Sequence, residues 1–91
     1  MFAIARFEVK QAESRAFAAQ CVLALDALKA CDGFIDGEFG QNLDDVNLWS
    51  ITTIWVNVGS YRRALGKNEV KLLAIPLLAL AIDEPGAYSV D

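Results

Sequence analysis

Residues 2 to 9, FAIARFEV, alternate loosely, with Phe2, Ile4, Arg6 and Glu8 on one side and Ala3, Ala5, Phe7 and Val9 on the other. That period of two predicts a strand. From about Glu13 to Ala30 the period changes: Phe17, Cys21, Ala24, Leu28 and Cys31 recur every three or four positions, while Arg15, Asp26 and Lys29 fall elsewhere. The stripe predicts an amphipathic helix, with Gly33 as its stop. The glycine-rich GFIDGEFGQ, the turn-forming NLDDVN and the β-prone LWSITTIWV then predict a hairpin whose first strand is irregular. Leu48, Ser50, Thr52, Ile54 and Val56 face one way along the second strand, and Trp49, Ile51, Thr53 and Trp55 the other. Neither face is charged, so both are expected to be covered.

Asn57 is placed to cap a short helix that runs through Leu65 and ends at Gly66; Asn68 then caps another, with Glu69 near its positive end. The run KLLAIPLLALAI, residues 71 to 82, is apolar after its lysine and broken only by Pro76. Proline lacks an amide donor and disfavours helix at Ile75, so the helix is expected to kink or end there and resume briefly. DEPG makes a turn, and AYSVD is expected to form a last strand. The order β-α-β-β-α-β is the split, ferredoxin-like α+β pattern: four antiparallel strands with helices on one face, here a single domain over residues 1–91. The uncovered face is too apolar for water, which predicts a homodimer joined through that face.

Composition sharpens this picture. A hydrophobic fraction of 55% in 91 residues exceeds what one small core can hide. An oligomer interface, an apolar ligand cavity, or both are therefore expected. The net charge of −4 argues against nucleic acid as a partner. The stretch Leu72 to Ile82 is well short of the roughly 20 residues that span a bilayer. MFAIARFEVK lacks the layout of a signal peptide, so no membrane partner and a cytoplasmic address are expected. Cys21 and Cys31, about 15 Å apart along one helix, should be free thiols. The chain contains no histidine, which removes zinc sites of the usual kind and the Ser-His and Cys-His dyads; no metal site is expected. Asp44 and Asp45 are read as turn residues, Asp36 and Glu38 as solvated or salt-bridged, Arg62 and Arg63 as solvated helix positions, and Trp49 as core or interface.

Three stretches carry a family resemblance: GFIDGEF, then ITTIW closing a strand, then Tyr61 and Leu65 six and ten residues past that tryptophan. The chain resembles the antibiotic biosynthesis monooxygenase domain family of the dimeric α+β barrel group over nearly its whole length. The resemblance implies a dimer whose two sheets form a barrel, with a pocket in each subunit between sheet and helices. In the haem-degrading branch Trp55 has a counterpart, but the asparagine position falls at about Arg6 and the histidine position at about Ala74, so histidine ligation of haem iron is excluded. Haem binding without histidine, through Tyr61, is a third reading that a Soret band on titration would test; no cofactor is expected. In the cofactor-free branch Trp55 and Tyr61 reproduce a tryptophan and a tyrosine at family spacing, while the asparagine position falls at Ile51 and the arginine position near Ile75.

The resemblance thus implies a cofactor-independent monooxygenase acting on a flat aromatic or quinone-type molecule. Trp55 would position the ring, Tyr61 donate a hydrogen bond, and Arg6 hold the anion in place of the missing arginine. Trp55, Ile51, Ala74 and Leu77 would touch the ligand. The alternative is a non-catalytic ligand-binding or structural dimeric barrel, which a pocket filled by Leu72, Leu73, Leu77 and Leu78 would favour.

Overall fold

The computed structural model describes residues 1–90; Asp91, the end of the expected last strand, lies outside the described residues. Strand β1 (Phe2–Glu8) runs antiparallel to β3 (Leu48–Trp55), and β2 (Phe34–Gln41) pairs with the other edge of β3. The two-residue β4 (Ala87–Tyr88) pairs with β1, giving the antiparallel order β2-β3-β1-β4. This is the ferredoxin-like arrangement that the element order predicts. The irregularity expected in the first hairpin strand is a bulge: Phe34 pairs with Trp55 and Asp36 with Ile54, which leaves Ile35 extra. In the connecting turn, Asn42 Oδ1 accepts the amides of Asp44 and Asp45, and Asp45 Oδ1 accepts that of Asn47. Those acids do serve the turn.

Helix α1 (Ser14–Lys29) follows a 3-10 turn at Gln11–Glu13 and lays Phe17, Cys21, Ala24, Leu25, Ala27 and Leu28 on the sheet. Its exit needs Gly33, whose φ of +87° is left-handed and whose missing Cβ makes room for Ser60. Helix α2 (Val58–Leu65) is capped as expected, the Asn57 side chain accepting the Ser60 amide at 2.8 Å. The next cap is displaced by one residue. Lys67 holds the cap position, and Asn68 is the first residue of α3 (Asn68–Leu73) with no side-chain cap bond. After Ala74 the chain turns into α4 (Ile75–Leu78), with Pro76 in its first turn, where a missing N–H costs nothing.

Strand alternation sorts the faces. Phe7, Trp49, Ile51, Thr53 and Trp55 are buried under the helices. Phe2, Ile4, Arg6, Ser50, Thr52 and Ile54 share the opposite face, where Ile54 is 39% exposed and no helix packs. Trp49 is core, as read from the sequence; its ring meets Phe17 edge-on and its indole N–H has no hydrogen-bond partner. Both cysteines are free; burial pushes the Cys21 thiol up to about 11, which leaves it inert.

Candidate functional site

Between the helix-bearing face of the sheet and the segment after α4 lies an open cavity of about 300 Å³. β1 contributes Ala3 and Ala5, whose small side chains leave space where Phe7 further along fills it. β3 contributes Ile51 and Thr53, α1 Leu28, α2 Tyr61 and Leu65, and the far wall is Leu78, Ala81 and Ile82. The far wall is held by backbone. Ile82 N–H donates to the Arg6 carbonyl at 2.8 Å, and Ile4 N–H donates to the Gly86 carbonyl at 2.7 Å. Gly86 passes so close to Ile4 that a Cβ there would overlap the Ile4 carbonyl oxygen.

The lining is apolar apart from two hydroxyls, Thr53 and Tyr61, and one carboxylate, Glu84. Thr53 is 4% exposed and accepts the Trp55 indole N–H at 2.8 Å. Tyr61 is half-buried, and that burial raises its phenol above the ordinary value, so it is neutral and a donor at physiological pH.

The structure distributes the residues singled out from the sequence unevenly. Ile51 and Tyr61 line the cavity. Trp55 does not: 1% exposed, it sits behind Tyr61 and Thr53, with Tyr61 and Phe34 edge-on to its ring at 5.8 and 5.2 Å. Ala74 and Leu77 are core residues, 0% and 4% exposed, and neither lines the cavity. Arg6 stands on the opposite sheet face because residues 2, 4, 6 and 8 alternate away from Ala3, Ala5 and Phe7. Its guanidinium forks onto Glu84, Nε to Oε2 and Nη2 to Oε1, both at 2.7 Å. The partner of Arg6 is thus Glu84, a residue of the cavity lining, which it grips from the opposite sheet face. The apolar run 72–82 is a cavity wall only from Leu78 onward. Leu78, Ala81 and Ile82 turn inward, whereas Leu72 and Leu80 are 71% and 69% exposed, so the run does not fill the cavity.

Two polar lining groups, Thr53 and Glu84, are not among the residues that the sequence singles out. Thr53 carried a signal, two residues before Trp55 on the same strand face; Glu84 carried none, because a turn residue reaches the rim only once the chain has folded back. Among the described residues no cluster of three or more Cys, Asp and Glu is arranged to hold a metal, and no helix is long and apolar enough to cross a membrane.

In overall shape the chain is similar to SnoaB, a cofactor-independent oxygenase from Streptomyces nogalater, at 22% identity over 99% of this chain and 91% of that one, with a TM-score of 0.81. A conserved protein from Methanosarcina mazei Go1 superposes at TM-score 0.77 with 21% identity, covering 94% of this chain and 84% of that one. PA3566 from Pseudomonas aeruginosa does so at 0.72 with 14% identity, covering 99% and 93%. At these identities the likeness is one of fold. No curated protein matches the chain. The sequence profile of antibiotic biosynthesis monooxygenase matches residues 1–73, most of the chain including β1 to α3. The chain belongs to the antibiotic biosynthesis monooxygenase family.

Proposed function

We propose that this protein is a cytoplasmic, homodimeric, cofactor-independent monooxygenase acting on a flat aromatic or quinone-type small molecule. The observation that carries the reading is the open cavity of about 300 Å³ between sheet and helices, apolar except for Thr53, Tyr61 and Glu84. Family membership and the likeness in fold to a cofactor-independent oxygenase support it.

In this reading the substrate is an electron-rich phenol or anthrone lying between Ile51 and Leu78. It loses a proton, and the resulting anion passes one electron to O2; the radical and superoxide combine, the peroxide takes a proton back, and loss of water leaves a new carbonyl. Atoms balance as CH2 plus O2 giving C=O plus H2O. Tyr61 donates a hydrogen bond to the substrate oxygen as charge develops on it. Trp55 positions Tyr61 from behind. Arg6 serves at one remove, fixing Glu84 and with it the far wall.

The test is oxygen uptake with anthrone and a panel of quinols, with and without the protein, beside Tyr61→Phe. Acceleration over the spontaneous rate, reduced roughly ten-fold or more in the variant, is the expected result; equal rates with and without protein across the panel defeat it. The second reading, a ligand-binding dimer without turnover, draws on Ile51 and Ile75, apolar where the cofactor-free branch carries asparagine and arginine. Saturable binding with no oxygen uptake would select it.

A further inference from the structure

We propose that the Thr53 hydroxyl is the cavity's polar anchor, a specificity-determining donor that selects an uncharged ligand carrying a carbonyl-type acceptor oxygen. The inference rests on reading the cavity as a binding site and names the class of molecule it takes. An indole N–H is a donor and never an acceptor, so the 2.8 Å bond between Trp55 Nε1 and Thr53 Oγ1 has only one direction. A pair of hydroxyls could exchange roles; this pair cannot. Trp55 has no freedom to swing away, being 1% exposed and held between Phe34 and Tyr61. With its oxygen engaged as an acceptor, Thr53 keeps one proton to donate, and the Trp55 bond is the one side-chain hydrogen bond this hydroxyl makes among the described residues. Thr53 is 4% exposed and lines the cavity, so a cavity occupant is placed to receive that proton.

Charge narrows the class further. Glu84 is the one carboxylate in the lining and no lysine or arginine lines the cavity. The guanidinium of Arg6 is engaged by Glu84. An anionic ligand would meet a carboxylate with no free cation to offset it, whereas a neutral ketone or quinone meets two hydroxyl donors, Thr53 and Tyr61, among apolar walls.

The test pairs 1-tetralone with tetralin, which share a bicyclic frame and differ in the carbonyl, each titrated into the full-length protein by NMR. The native protein should bind the ketone more tightly than the hydrocarbon. Thr53→Val should weaken the ketone roughly 3- to 10-fold and leave tetralin unchanged, and Thr53→Ser should restore the preference. Trp55→Phe supplies a test that does not depend on the valine variant folding. Without the indole, Thr53 is free to accept as well as donate, so discrimination between 1-tetralone and 1-tetralol should narrow. A ketone preference untouched by Thr53→Val, or a ketone-to-alcohol ratio untouched by Trp55→Phe, overturns the anchor while leaving the cavity reading intact. Failure of both compounds to bind the native protein overturns the cavity reading and the anchor with it.

Discussion

Arg6 shows how one residue's role turns on which side of a strand it occupies. A guanidinium at position 5 would point into the cavity; at position 6 it points away and closes a fork on Glu84 from the opposite sheet face. Both side chains are exposed, so the pair contributes little net stability, but it does set a pH dependence. The hydrogen bonds and charge of Arg6 hold the Glu84 carboxyl below its usual 4.5. A carboxyl whose folded value is depressed stabilises fully above its unfolded value and loses that contribution as pH falls through the folded one. Glu84→Gln should therefore differ from the native protein in urea midpoint at neutral pH, and the difference should shrink to nothing as pH falls from about 4.5 through the acid range. A difference that persists at pH 2 would show that Glu84 acts through packing instead. Trp55 teaches a related lesson: its spacing from Tyr61 was legible, and the two rings do meet, yet spacing along a chain cannot say which of two touching rings faces the void.

At the scale of elements, local chemistry was mostly sufficient. Asn57 has the short amide side chain that reaches back to an orphan N–H, and it caps α2 by accepting the Ser60 amide. Asn57→Ala should cost about 1 kcal/mol in denaturant unfolding. It should also loosen Tyr61, which stands in that helix's first turn, so ligand affinity should fall together with stability. A variant as stable as the native protein would show that α2 is held by packing alone. Asn68 failed as a cap because the chain approaching it is already extended at Lys67 and turns one residue early. Pro76 ended one helix and opened another, as its ring demands. What local chemistry could not reveal was the direction of the leucines in the run 71–82. With a break at Ala74 the helical phase restarts, so leucines on the two sides of it take different directions: Leu72 is exposed, whereas Leu78 lines the cavity.

For the whole molecule, the open sheet face is the feature that the fold leaves without cover. Phe2, Ile4, Thr52 and Ile54 lie on it, and Tyr88 from β4 stacks on Phe2 at 5.1 Å, extending the apolar area to the sheet's edge. Under the proposed dimer this face is buried against its twin. Sedimentation at micromolar concentration should find a dimer. Ile54→Lys, which places a charge at a position 39% exposed in the single chain, should raise the dissociation constant at least about ten-fold, ~1.4 kcal/mol, with the helical signal unchanged. A well-folded native monomer under the same conditions would sink the dimer.

The sequence by itself determined the order of elements, the alternation of faces, the capping of α2, the helix break just before Pro76 and the family. Each depends on periods of two or 3.6 residues, on backbone restrictions at single positions, or on short motifs, all of which are local. Only the tertiary structure decided that Thr53 and Glu84 join Tyr61 around one cavity, that Trp55 stands behind it, and that Arg6 lies outside. Those facts depend on how far apart the packed layers stand and on where residues 82–86 return to β1, distances that no interval along the chain encodes.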